Sequence, residues 1–234
     1  MFAAINQNQL LGLLVGALSS FFWTATYALI IRQGFKDRTF GMPLCALGAN
    51  LAWECIFLYE TLNHGVYDAR LAMILPWTLL DGAIVYQCFR YGRDDFPQPL
   101  VRKYFPWGLA GILITAAAIL LAFVREFHDA IGWYAAFGQN LMMSVLFVAM
   151  FLRRDSLRGQ SPYIAVSKFL GTFFAFVLAV FWSPKTLHEH WATLLPDAYY
   201  PIAPLLVILY AAIFVFDVLY IALVVKHGRA EKNS

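Results

Sequence analysis

The sequence predicts an all-α polytopic membrane protein whose seven transmembrane helices form one bundle. Its 234 residues are 61% hydrophobic and only 13% charged, whereas soluble domains carry about 25% charged residues. Seven stretches are long and apolar enough to cross a bilayer core, which needs about 20 residues per helix. Lysine and arginine are also distributed unevenly between the connections. These observations together predict one transmembrane domain over residues 1–234.

The seven predicted spans follow one another with short connections. The first comes after an N-terminal segment that lacks the basic region of a cleavable signal peptide, so we expect a retained helix. The connections leave no room for a second soluble domain, and no internal repeat is evident. The spans lie near residues 10–31, 41–60, 71–91, 104–124, 131–152, 162–182 and 202–225.

The basic residues predict how the bundle is oriented. Fourteen of the 17 lysines and arginines fall at one end of the predicted bundle, and the opposite end has only Arg70, Arg125 and Lys185. Cytoplasmic loops of membrane proteins carry the excess of lysine and arginine. We therefore expect a lumenal or extracellular N-terminus and a cytosolic C-terminus. The crowded end holds Arg32, Lys36, Arg38, Arg90, Arg93, Arg102, Lys103, Arg153, Arg154, Arg158, Lys168, Lys226, Arg229 and Lys232.

Three acidic residues, Glu54, Asp81 and Asp217, fall well inside predicted spans. Intramembrane carboxylates face the bundle interior or a cavity by default. From the helical rise, Glu54 is expected roughly 20 Å from the cytosolic end, Asp217 about 12 Å from it, and Asp81 near the midplane. Three separate levels in one cavity would suit a long substrate better than a single ion.

Residues near these acids leave alternatives open. Asn50 lies four positions before Glu54 and shares its helix face, and Tyr220 lies three positions after Asp217. Asp217 and Lys168 are the right types for a structural ion pair between helices. Asp81 has structural alternatives too. It follows Pro76 on the same helix, so it can bond backbone groups that the proline leaves without partners, or it can bond a neighbouring helix. No basic residue is predicted at the depth of Glu54, so its carboxyl group is expected to stay protonated, as a general acid requires.

Other motifs do not predict a cofactor or metal site. Asp94-Asp95 lacks the further aspartate of a magnesium–diphosphate site, because position 98 is a glutamine. His188-Glu189-His190 offers too few ligands in one short loop for a metal centre, and a solvated loop is favoured. The net charge of +3 does not point to nucleic acid.

The segments that carry the acids resemble a known family. GMPLCALGANLAWECIF (41–57) and FDVLYIALV (216–224) are similar to the small integral-membrane terpene cyclases of fungal meroterpenoid and indole-diterpene pathways, a family that has bacterial relatives. GQNLMMSVLFVAM (138–150) and SKFLGTFFAF (167–176) resemble further segments of that family. The combination of Asn-x-x-Trp-Glu in the second span with Asp-x-x-Tyr in the last is the strongest part of the resemblance, which covers essentially the whole chain.

The resemblance implies a membrane-bound terpene cyclase. Such an enzyme protonates the terminal epoxide or alkene of a prenylated aromatic or indole compound and drives cationic ring closure, without metal or organic cofactor. The catalytic acids of the family correspond to Glu54 and Asp217. Supporting residues are expected from a set that shares their helix faces or depth: Asp81, Asn50, Trp53, Tyr220 and Lys168.

The same resemblance implies a hydrophobic prenylated substrate and a lipid environment. The protein would lie in the endoplasmic reticulum if fungal, or in the plasma membrane if bacterial. A small proton-coupled transporter that uses the buried acids as a relay is the alternative. The absence of an internal repeat counts against that alternative.

Overall fold

The computed structural model describes residues 7–64, 69–182 and 203–233, and in these ranges the regular structure is entirely helical. Within these ranges, seven long helices and one 3-10 turn follow one another along the chain. The His188-Glu189-His190 motif and Lys185 lie outside the described residues. The elements are α1 Gln7–Asp37, α2 Leu44–Asn63, α3 Ala69–Tyr91, the 3-10 turn Gly92–Asp95, α4 Pro99–Glu126, α5 Trp133–Arg154, α6 Pro162–Phe181 and α7 Pro204–Asn233.

Six of these helices are long and apolar enough to span a bilayer, which makes the chain a multi-pass membrane protein. The described helix that falls outside this set is α2. It carries Asn50 and Glu54 in its middle, and polar groups lower its mean hydropathy. Half of its residues are nevertheless buried inside the bundle. The second predicted span is therefore a helix, and its polar middle faces protein.

Helix α2 packs against three other helices, α3, α4 and α5. On one side α1 packs against α3 and α6, and on the other α7 packs against α5 and α6. By contrast, α4 buries very little of its surface, which fits a helix that faces lipid. The largest core cluster includes Ile30, Met42, Leu47 and Phe147, none of which is exposed by more than a trace.

The basic ends of α1, α3 and α5 are joined by a buried ion-pair network. Asp95, at the end of the 3-10 turn, binds Arg154, and its Oδ1 lies 2.9 Å from Nη1 of Arg158. The hydroxyl of Thr39 donates to the same Oδ1 at 2.7 Å, and Arg154 donates to the carbonyl of Phe40 at 3.0 Å. Asp95, one of the two aspartates of the Asp94-Asp95 motif, thus has a structural role: its carboxylate holds two arginines and Thr39.

At the opposite end, the start of α5 is fixed by side chains of neighbouring elements. Asp129 accepts hydrogen bonds from the backbone N–H groups of Trp133 at 3.0 Å and Ala135 at 2.8 Å. The indole N–H of Trp53 donates to the carbonyl of Gly132 at 2.9 Å. These bonds satisfy groups at a helix start that would otherwise lack partners, and they hold Trp53 and Trp133 in place.

Candidate functional site

A cavity of about 730 Å³ opens between α1, α2, α3, α5 and α6. Its α1 wall extends from Gly12 to Tyr27, a length of about 22 Å along the helix. The volume is in the range of small-molecule sites, about 300–1,000 Å³. Seven aromatic side chains line it: Phe21, Trp23, Tyr27, Trp53, Trp77, Trp133 and Phe137.

Glu54 forms part of the wall of this cavity, in the middle of α2. The residue is 1% exposed. Its Oε1 accepts a hydrogen bond from the Tyr27 hydroxyl at 2.9 Å and another from the Asn50 amide at 3.0 Å. Its Oε2 has no hydrogen-bond partner among the described residues. Oε1 of Glu54 is therefore held in place by two hydrogen bonds, whereas Oε2 accepts none from the described residues.

Asp81 lies beside Glu54, on the far side of the Asn50 amide. Nδ2 of Asn50 is 2.8 Å from Oδ2 of Asp81 and 2.6 Å from the Tyr27 hydroxyl oxygen. The prediction that Glu54 and Asp81 lie at separate levels is wrong, because a single amide nitrogen contacts both carboxyl groups. Each acid lies ten residues from the basic end of its own helix, in α2 and in α3, so the antiparallel helices bring them to the same height.

Asp217 belongs to a second polar group. Its Oδ1 lies 2.6 Å from Nζ of Lys168, and both side chains are almost completely buried. Lys168 also donates to the Ser144 hydroxyl at 2.7 Å and to the Asn140 side-chain oxygen at 3.3 Å. The ion pair that the sequence left open as an alternative is therefore present. Of these described residues, Asn140 lines the cavity, whereas Asp217 and Lys168 lie behind its wall.

The remaining predicted residues divide between the two groups. Trp53 lines the cavity, and its ring packs against Phe57 with centroids 4.9 Å apart. Tyr220 is buried behind the wall against Phe147, at 5.2 Å between ring centroids. The Lys168 ammonium lies 5.9 Å from the ring centroid of Trp23, a cavity residue, and so links the second polar group to the aromatic wall.

Tyr27 and Gln139 were not predicted from the sequence. Tyr27 donates to Glu54, and Nε2 of Gln139 lies 3.4 Å from the side-chain oxygen of Asn50. In the predicted span 10–31, Tyr27 lies only four residues from the end, where an interfacial tyrosine is usual, so its position gave no signal of a role at the site. Its partner on α2 follows from the way two helices pack, which hydrophobic periodicity does not specify.

Within ranges 7–64, 69–182 and 203–233, no group of three or more His, Cys, Asp or Glu side chains is placed to hold a metal ion. The polar groups at the cavity are instead carboxyl, amide and hydroxyl groups, which exchange protons and hydrogen bonds.

Comparison with known proteins identifies the family. The family described as Pyr4-like transmembrane terpene cyclases matches residues 3–230. The Pyr4-family terpene cyclase mfmH of Annulohypoxylon moriforme is 32% identical over 68% of this chain, and the terpene cyclase pyr4 of Aspergillus fumigatus is 31% identical over 64%. These matches span 65% and 63% of the two relatives' lengths.

A further relative, the terpene cyclase macJ of Penicillium terrestre, is 28% identical over 86% of this chain and 79% of its own length. No solved structure matches the chain. The family match covers nearly all of the helices described above, and it confirms the resemblance noted in the second and seventh predicted spans. The chain belongs to the family of Pyr4-like transmembrane terpene cyclases.

Proposed function

We propose that this protein is a membrane-bound terpene cyclase that initiates ring closure by protonating the terminal epoxide or alkene of a prenylated aromatic or indole substrate. The observation that carries the proposal is Glu54, whose Oε2 has no partner among the described residues and which lies in the wall of an aromatic cavity of about 730 Å³. A prenyl chain is apolar and partitions into the bilayer, so a site among membrane helices is accessible to it.

The arrangement around Glu54 supports its role as the proton donor. Two carboxyl groups that share the Asn50 amide repel one another strongly when both are ionised in a region of low dielectric constant. We infer that the group of Glu54 and Asp81 holds at least one proton at neutral pH. Tyr27 donates to Oε1 of Glu54, which leaves Oε2 to carry the acidic proton toward the cavity.

The proposed reaction balances as an isomerisation. Glu54 transfers a proton to the epoxide oxygen, the C–O bond breaks, and the oxygen becomes a hydroxyl group; an alkene would instead gain the proton at carbon. The resulting cation is attacked by successive double bonds, and loss of a proton from the last cation restores the proton count. Rings such as Trp23, Trp77 and Phe137 would stabilise the cations through their negative faces, and the apolar walls would limit capture by water.

Asp217 is proposed as the second functional acid, in a supporting role. Its Oδ1 lies 2.6 Å from Nζ of Lys168, behind the cavity wall, so we propose that it acts through Lys168 rather than directly on the substrate. Through Lys168 it would hold Asn140 and Trp23 at the cavity wall. Tyr220 would support this arrangement by packing beside it.

We further propose that all seven helices cross the membrane in a single domain, with the basic end in the cytosol. The ends of α1, α3 and α5 meet at the Asp95 network, which supports strict alternation of the helices. α2 would then be the seventh span, protected from lipid by its neighbours. The corresponding compartment is the endoplasmic reticulum in a fungus and the plasma membrane in a bacterium.

The proposed activity is tested with membranes that contain the protein and a panel of prenylated aromatics and indoles, each with and without a terminal epoxide. We expect a ring-closed isomer of at least one substrate, identified by mass spectrometry and NMR, and none from membranes without the protein. Substrate flux across proteoliposomes with no isomeric product from any compound would instead favour a transporter.

A further inference from the structure

A second pocket lies at the basic end of the bundle, apart from the aromatic cavity. It has a volume of about 810 Å³ and is formed by the connection between α3 and α4 and by the end of α5 with the connection that follows it. We call it the basic pocket and define it by Phe96, Val101, Arg153, Arg154, Ser156 and Arg158. It shares no lining residue with the aromatic cavity.

The charges in the basic pocket are predominantly positive. Three guanidinium groups, those of Arg153, Arg154 and Arg158, line the pocket together with one carboxylate, Asp95. That carboxylate is already bound by two of the arginines and by Thr39. Arg154 and Arg158 also donate to the backbone carbonyl groups of Phe40 and Arg38. The pocket therefore has an excess of positive charge that Asp95 does not neutralise.

Arg154 also has remaining capacity to donate. Its side chain is only 7% exposed, and its Nε has no hydrogen-bond partner among the described residues. Arg153 is exposed at the pocket, and its guanidinium lies 4.8 Å from the ring centroid of Phe96. Contact with the face of an aromatic ring restricts a guanidinium group and leaves the N–H groups, which lie in the guanidinium plane, able to donate at its edges.

The start of α4 adds to the positive potential. This helix of 28 residues begins at Pro99 and has no side-chain cap at its N-terminus, and Val101 in its first turn lines the pocket. Backbone N–H groups in the first turn of a helix lack intrahelical acceptors, and the helix dipole favours an anion there. Arginines and a helix start therefore converge on one pocket.

We propose that the basic pocket binds the phosphate group of an anionic ligand, supplied by the headgroup of an anionic phospholipid. Guanidinium groups bind phosphate oxygens through paired, charge-assisted hydrogen bonds. The pocket lies at the end of the bundle where membrane headgroups are found, and basic pockets between membrane helices are suited to such headgroups. Soluble phosphate has the same oxyanion chemistry and is the other source that must be distinguished.

The test uses the full chain in nanodiscs of phosphatidylcholine that contain a minor fraction of phosphatidylinositol, with the retained lipid measured by native mass spectrometry. Arg153→Gln removes one phosphate-binding group from the pocket. Arg90→Gln is the matched control, because Arg90 is an exposed arginine at the same end that stacks on Tyr91 outside the pocket. We expect phosphatidylinositol to be retained by the wild type and by Arg90→Gln, and its affinity to fall about tenfold in Arg153→Gln.

A second arm uses inorganic phosphate and nanodiscs of phosphatidylcholine alone. A rise in unfolding temperature with phosphate that Arg153→Gln abolishes would support the same site with soluble phosphate as its ligand. The proposal is overturned if both arginine variants lose phosphatidylinositol equally, or if neither the lipid nor inorganic phosphate distinguishes Arg153→Gln from the wild type. Arg153→Lys, which keeps the charge, is expected to retain part of the binding and so excludes loss of folding as the cause.

Discussion

The Tyr27 hydroxyl holds one of the two carboxyl oxygens of Glu54, the proposed acid. It lies 2.6 Å from the Asn50 amide, from which it accepts, and 2.9 Å from Oε1 of Glu54, to which it donates. A residue that fixes one oxygen of a carboxyl group also fixes the direction of the other. Tyr27 therefore positions the proposed acid, and it contributes its aromatic ring to the cavity wall.

Replacing Tyr27 with phenylalanine tests this positioning role. We expect Tyr27→Phe to lower the turnover rate about tenfold, because one hydrogen bond to the proposed acid is lost. The ring remains, but the loss of a buried hydroxyl is expected to reduce the free energy of unfolding by about 1–3 kcal/mol, so the rates are compared at equal amounts of folded protein. The measurement is the steady-state rate of product formation in membranes. Tyr86→Phe is the control, since Tyr86 is 57% exposed on α3. Equal rates for the two variants would contradict the role given to Tyr27.

Single residues also mark the limit of sequence analysis in this chain. Asn50 and Glu54 were predicted to share a helix face, and their side chains are 3.0 Å apart, because a spacing of four follows from helix geometry alone. The contacts of Glu54 with Tyr27, and of Asp217 with Lys168, connect different helices. Their existence depends on which faces pack together, and hydrophobic periodicity leaves that choice open.

Among the helices, α2 shows why hydropathy is a poor guide to membrane spans when a helix carries buried polar residues. The sequence predicted a span over 41–60, and the helix is Leu44–Asn63. Its polar middle places it outside the helices that qualify as spans by composition, although half of its residues are buried. A helix that carries the reactive groups of a membrane protein must contain polar residues, and its neighbours protect them from lipid.

The start of α5 holds the aromatic wall together through a glycine. Gly132 has φ of 74°, and a Cβ atom there would lie 2.2 Å from the Phe57 ring and 2.6 Å from Nε1 of Trp53. We expect Gly132→Ala to reduce the free energy of unfolding by about 2 kcal/mol or more, from backbone strain together with overpacking. The measurement is thermal unfolding in detergent.

The control for this variant lies on the same helix. Gly138 has open space around its Cβ position, so Gly138→Ala is expected to leave stability unchanged or raise it slightly through better helix propensity. Similar unfolding temperatures for the two alanine variants would show that the start of α5 does not depend on the conformation of Gly132.

In the bundle as a whole, alternating helix directions explain both a success and an error of the sequence analysis. The count of spans and the distribution of basic residues predicted that the ends of α1, α3 and α5 lie together, and they meet at Asp95 and Arg154. The depths of Glu54 and Asp81 were wrongly separated because span ends were placed by hydropathy. Helices extend beyond or stop short of the apolar stretch, as α1 does in reaching Asp37.

The orientation of the bundle is tested with two small surface residues at opposite ends. Ala130 lies between α4 and α5, Ala230 lies near the end of α7, and both are exposed. In a chain whose three cysteines have been replaced, Ala230→Cys is expected to react with a membrane-impermeant thiol reagent only from the cytosolic side. Ala130→Cys is expected to react only from the other side. Labelling of both positions from one side would contradict the three spans, α5, α6 and α7, that are proposed to lie between them.

The central claim is that Glu54 donates the proton that starts cyclisation, and the most direct test compares Glu54→Gln with Glu60→Gln. Both residues lie on α2. Glu60 is partly exposed, and the one salt bridge that it forms with the described residues is to His64. Glutamine keeps the shape of the side chain and cannot donate an acidic proton. The measurement is the rate of formation of the ring-closed product in membranes with equal amounts of folded protein. We predict that Glu54→Gln lowers this rate by about 10²–10⁴-fold and that Glu60→Gln leaves it unchanged; a Glu54→Gln protein with the wild-type rate would contradict the account.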